Sequence, residues 1–134
     1  MYYFKSGQSK KAKAFLRSCS MIHDGEFQQA IYNQKQKKFT VHVSNMFFNS
    51  AISMVFGNIR QFVCISDYMW GKDESINCLA VIDNPKDLPD FMHVAEGEDD
   101  LCFVWEMFSG NLIYIVCTEL QISCSIEDES GSTP

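Results

Sequence analysis

Long apolar runs are missing from this chain. The longest, such as Leu112 to Cys117, have the length of a strand. A membrane helix needs roughly 20 apolar residues, so no membrane partner is expected. Phosphate cradles are missing too. Neither G-x-x-x-x-G-K-[ST] nor G-x-G-x-x-G occurs, and the seven glycines stand singly, as turn formers. No two cysteines have C-x-x-C spacing, and no two of His23, His42 and His93 stand four apart. Zinc sites anchor the ion on such short-range pairs, so no metal and no cofactor is expected. The G-x-S-x-G elbow of serine hydrolases is absent. Residues 101–119 are rich in aromatics but carry no Lys or Arg. Sheet-type readers of nucleic acid put both on one face, so no nucleic-acid partner is expected. The N-terminus lacks a basic segment followed by an apolar one, which argues against a secretory leader.

What is present suits one folded domain, residues 1–134. The chain has 134 residues, 46% hydrophobic and 21% charged, enough to close a core without staples. Cys19, Cys64, Cys78, Cys102, Cys117 and Cys124 lie mostly in apolar stretches. A free cysteine behaves there as a small hydrophobe, and the set reads as reduced thiols of a cytoplasmic protein. The formal charge is -6, unevenly spread. Residues 1–40 hold eight Lys/Arg against Asp24 and Glu26; residues 41–134 hold three against fifteen Asp/Glu. An acidic surface repels nucleic acid and attracts basic partners. The basic third is read as a solvated helix face and hairpin turn.

Periodicity sets out the elements. Residues 9–21 predict a short helix, with Ser9 as N-cap and Ala12, Phe15, Leu16 and Cys19 on one face. Residues 26–33 and 37–44 predict a hairpin whose second strand alternates Phe39, Val41 and Val43 with Thr40, His42 and Ser44. Residues 46–57 predict a buried helix closed by Gly57-Asn58. Residues 61–70 and 76–83 predict a second hairpin across 71–75, and 84–89 a turn or one helical turn. Residues 101–108 and 112–119 form the strongest hairpin signal, around Ser109-Gly110-Asn111. Residues 120–126 add a possible strand, and 127–134 a disordered acidic tail. The expected class is α+β, an antiparallel sheet built from hairpins with two or three helices packed at one side.

Two segments suggest a binding surface. Asp67, Tyr68, Trp70, Asp73 and Glu74 place two aromatics among acids at the expected hairpin end. Tyr and Trp are enriched at binding hot spots with polar rims. Glu96, Glu98, Asp99 and Asp100 form an acidic loop without the spacing of a calcium loop. Glu106, inside an apolar strand, is read as facing solvent. A nucleophile assembled in space from Cys64 or Cys102 with His42 or His93 would need an electropositive pocket.

With its size, its acidity and the hairpin Leu101-Cys102-Phe103-Val104-Trp105-Glu106-Met107-Phe108 to Leu112-Ile113-Tyr114-Ile115-Val116, the chain resembles bacterial immunity proteins of contact-dependent and type VI toxin systems. The resemblance implies a cytosolic protein that neutralises a cognate toxin, a basic domain such as a nuclease, by covering it. It assigns no individual residue a role. A phage-encoded inhibitor of host defence and an acidic secretion chaperone or adaptor are alternatives of the same binding kind. A small enzyme ranks below them.

Overall fold

In the computed structural model, residues 1–19, 22–45, 50–66, 75–94 and 99–126 are described. Period-two alternation dominates them. The strands are β1 (Tyr2–Lys5), β2 (Glu26–Asn33), β3 (Lys38–Asn45), β4 (Ser50–Gly57), β5 (Gln61–Ile65), β6 (Ile76–Val81), β7 (Leu101–Met107), β8 (Leu112–Cys117) and β9 (Glu119–Ile126). The α-helix is α1 (Ser9–Ser18), and Pro85–Asp87 makes a single 3-10 turn. All strand pairs are antiparallel. One sheet has the order β1-β9-β4-β3-β2 and the other β5-β8-β7-β6.

The two sheets share one core. Phe39, Val41 and Val43 of β3, Ile52, Met54 and Phe56 of β4, and Leu120 and Ile122 of β9 are buried on one side. Phe103, Trp105 and Met107 of β7 and Ile113 and Ile115 of β8 are buried on the other. Phe56 meets Phe103 and Trp105 edge to face, with centroids 5.1 and 6.1 Å apart. Burying each such side chain contributes about 1.5–3 kcal/mol. Phe27 of β2 also lies edge-on to Trp105 at 5.0 Å, while Tyr32, near the other end of β2, stacks on Phe62 of β5 at 4.4 Å. The β2 strand therefore crosses over the second sheet from one side to the other. The outer face of that second sheet has its own small cluster, in which Leu88 and Met92 cover Cys102 and Val116.

The chain passes from one sheet to the other between β4 and β5 and back between β8 and β9. Only Thr118 separates β8 from β9. At the opposite edge, Glu26 bridges Ser75, the Ile76 amide donates to the Gly25 carbonyl at 2.8 Å, and the Asp24 amide donates to the Ile76 carbonyl at 2.9 Å. A Cβ on Gly25 would stand 2.7 Å from Val43 Cγ1 and 2.9 Å from the Ile22 carbonyl oxygen, so glycine permits this approach.

These findings correct the expected class. The fold is a pair of antiparallel sheets with one short α-helix among the described residues, not a sheet flanked by two or three helices. The buried helix expected over 46–57 is strand β4 from Ser50 onward; residues 46–49 lie outside the described residues. Its buried positions are Ile52, Met54 and Phe56, spaced by two. Pairing with β3 and β9 on both sides satisfies its backbone, and that tertiary choice outweighs the local helical reading. The second hairpin is also corrected. The β5 and β6 strands lie at opposite edges of their sheet and do not pair. The N-cap of α1 is Gln8 rather than Ser9, and β1 was not anticipated. The 26–33/38–45 and 101–107/112–117 hairpins and strand 119–126 stand as expected. No helix among the described residues is long and apolar enough to cross a membrane.

Candidate functional site

A segment with three exposed aspartates lies outside the β5-β8-β7-β6 sheet. The segment after β6 runs through Asp83, the turn Pro85–Asp87 and Asp90 before Met92 seats it on the sheet. Two prolines limit this stretch to a single turn. Leu88 and Met92 face inward, so Asp83, Asp87 and Asp90 are left exposed. Phe91 is exposed with them, at 63%. An isolated exposed apolar residue is ordinary; one in a short segment with three exposed aspartates has the composition of a hot spot with a polar rim.

Asp83 also lines a cavity of about 640 Å³, together with Asp99, Asp100 and, from the first turn of α1, Lys10 and Lys11, so its lining carries both signs of charge. Asp99 is exposed, and its carbonyl accepts from the Gly7 amide at 3.0 Å. Lys13 of α1 forms an ion pair with Asp83. Asp100 differs from its neighbours. Its side chain is 2% exposed, and Oδ2 accepts from Arg60 Nε at 3.0 Å. Its Oδ1 has no hydrogen-bond partner. A carboxylate so placed is held by its cation and is not a docking residue of the outer surface.

Of the residues expected to bind a partner, Asp99 and Asp100 are thus brought to this cavity, one exposed and one buried. Asp67, Tyr68, Trp70, Asp73, Glu74, Glu96 and Glu98 lie outside the described residues. Sequence reasoning missed Asp83, Asp87, Asp90 and Phe91. The signal was available, since a lone Phe between acids repeats the aromatic-plus-acid pattern sought at 67–74. The periodicity predicts a strand ending at Asp83 and a turn over 84–89, and assigns nothing to Asp90 and Phe91.

The cysteine chemistry can be judged from burial. None of the six cysteines is in a disulfide. Burial, with the Asp100 charge beside it, pushes Cys102 up to about 11. Burial also raises Cys64, Cys117 and Cys124, and it raises Cys78 with help from the Glu106 carboxylate. None of these five is poised as a thiolate at neutral pH, which a nucleophilic cysteine must be. His42 lies on the other sheet from Cys64 and Cys102, with Nδ1 2.8 Å from Ser53 Oγ. Glu106 faces outward and exposed, accepting from Asn77 Nδ2 at 3.3 Å. Among the described residues no group of three or more His, Cys, Asp or Glu is arranged to hold a metal ion.

No family model matches the chain, and no curated protein matches it either.

Proposed function

We propose that the protein is a protein-binding inhibitor of the immunity type, which neutralises a basic toxin domain by docking an acidic surface on it. The observation that carries this reading is Phe91, 63% exposed, in the same short segment as exposed Asp87 and Asp90 and as Asp83, which pairs with Lys13. The aromatic ring supplies an anchor for a partner pocket, and the carboxylates steer a basic partner into place. Overall charge of -6 works in the same direction at longer range. Nucleases are suitable targets in chemical terms, because an active site that holds phosphate must be electropositive.

The test is capture of partners by the tagged protein from its own host, washed at low and high salt, with mass spectrometry of what remains. The expected result is one dominant basic protein, released by high salt. Phe91→Ala should weaken its binding, and Asp87→Lys with Asp90→Lys should weaken it further. Each substitution is at an exposed site and should leave the fold intact. Retention of the partner by these variants together with loss through Trp70→Ala would move the interface to residues 67–74 and keep the inhibitor reading. Absence of any stoichiometric partner would overturn the reading.

A further inference from the structure

A second cavity, of about 480 Å³, lies where the β2–β3 turn meets the β4–β5 turn and Thr118. Its charged lining residues are both basic, although Arg60 is already paired with Asp100. Lys37 and Arg60 line it, and no carboxylate is among its described lining residues. The remaining polar groups, from Gln34, Asn58 and Thr118, can all donate hydrogen bonds. Tyr32 forms part of the wall, its ring parallel to that of Phe62 within 1°.

The backbone around this cavity is fixed. The Ile59 amide donates to the Lys37 carbonyl at 3.0 Å, tying the two turns together. The Arg60 amide donates to the Val116 carbonyl at 2.8 Å, and the Thr118 amide to the Gly57 carbonyl at 3.3 Å. Lys37 and Asn58 have φ values of 54° and 51°. They are two of three non-glycine residues with left-handed backbone among the described residues, and both line this one cavity. Asn tolerates that conformation; a long unbranched side chain such as Lys adopts it at a cost, and such costs gather at functional sites. The ion pair with buried Asp100 holds the Arg60 guanidinium in position.

We propose that this cavity binds a small organic oxyanion, a phosphate or carboxylate carried on a planar ring, with Lys37 and Arg60 on the charge and Tyr32 along the ring. The proposal does not rest on the docking role given to Phe91, although the Arg60–Asp100 pair stands between the two cavities. Lys37 and the outward part of the Arg60 guanidinium, with neutral donors in the same lining, suit an oxyanion through charge-assisted hydrogen bonds, even with Arg60 Nε engaged by Asp100. A ring beside them adds stacking area at little entropic cost.

The test is titration of the protein with phenyl phosphate, inorganic phosphate and benzoate, read from the amide resonances of Ile59, Arg60 and Thr118. Phenyl phosphate or benzoate should shift these signals saturably, and the tighter of the two tells whether the anion is a phosphate or a carboxylate. Lys37→Gly should weaken binding roughly tenfold, the loss of one charge-assisted hydrogen bond. Glycine accepts the left-handed backbone without strain, so this variant loses the ammonium while keeping or improving the fold. Tyr32→Ala should remove the advantage of phenyl phosphate over inorganic phosphate. Failure of all three probes to give a saturable shift would overturn the site, as would binding undiminished in Lys37→Gly. Equal affinity for phenyl phosphate and inorganic phosphate would overturn the role of the ring.

Discussion

Arg60 Nε donates to Asp100 Oδ2 at 3.0 Å, and this pair ties the β4–β5 turn to the start of β7. The two partners are unequal. The Asp100 side chain is 2% exposed and that of Arg60 is 49% exposed. Removing the cation therefore strands a charge that water cannot reach, whereas removing the carboxylate leaves a cation that water can solvate. Arg60→Met should cost about 1–3 kcal/mol, below the loss from a wholly buried pair because Arg60 is half in water. Adding Asp100→Asn to Arg60→Met should recover part of that loss, since a neutral amide is cheaper to bury than a carboxylate. Urea unfolding of the two variants against the parent measures both effects. A double variant less stable than Arg60→Met would mean that Asp100 is held by something other than its charge.

The strand assignment of residues 50–57 gives a sharper contrast. Met54 is buried completely, and its neighbour Val55 faces the other side of the sheet, half-buried. Met54→Asp should unfold the domain at room temperature, because it puts an unpaired carboxylate into the shared core. Val55→Thr should change stability by less than about 1 kcal/mol. Circular dichroism and thermal melts distinguish these outcomes, and equal damage from the two substitutions would contradict the period-two arrangement.

Much of the fold was legible where partners are close in the chain. The 101–107/112–117 hairpin carries β-branched and aromatic residues around Ser109-Gly110-Asn111, and Gly110 indeed has φ 95°. Alternation in β3 gave the right core face, Phe39, Val41 and Val43. Residues 46–57 misled because Phe47, Phe48, Ala51, Ile52, Val55 and Phe56 also satisfy a helical spacing. Pairing of β4 with β9, a partner far along the chain, decides between the two readings and leaves no local mark. The same holds for β5 and β6, neighbours in sequence that the topology sends to opposite edges. Of the candidate site, the acids at 99–100 were legible as charge, but the Arg60 partner that buries Asp100 was not. The oxyanion cavity joins two turns and Thr118, and only the closed fold brings them together.

Gly25 offers a test of how closely the two sheets approach. Its carbonyl accepts from Ile76 at 2.8 Å, and a Cβ there would stand 2.7 Å from Val43 Cγ1 and 2.9 Å from the Ile22 carbonyl oxygen. One obstacle is backbone, so rotation of Val43 alone does not make room. Gly25→Ala should cost about 1–3 kcal/mol, the usual range for overpacking. In amide hydrogen exchange the loss should appear first at Ile76 and Asp24, whose bonds bridge the sheets. Exchange unchanged at these two amides would show that the contact between sheets does not depend on glycine.

The buried thiols set an alkaline limit on stability. Folding raises Cys102 from 9.0 to about 11, chiefly by burial and secondarily through Asp100, and burial raises Cys117 as well. Below about pH 9 these thiols are protonated in both the folded and the unfolded chain, so their neutral burial carries no pH-dependent cost. Above it the unfolded chain releases its protons first, and stability falls as pH climbs toward and past the folded value of Cys102. Melting temperatures measured at about pH 8 and about pH 10.5 should therefore drop more for the parent than for Cys102→Ala with Cys117→Ala. Tyrosine and lysine titrate in the same interval, but they are shared by both proteins, so the difference between the two drops isolates the thiols. Equal drops would mean that Cys102 and Cys117 ionise as easily in the folded chain as in the unfolded one. Iodoacetamide at mildly alkaline pH gives an independent check, because a protonated buried thiol should alkylate slowly until the domain unfolds. Rapid alkylation of Cys102 in the folded protein would contradict both its burial and its raised pKa.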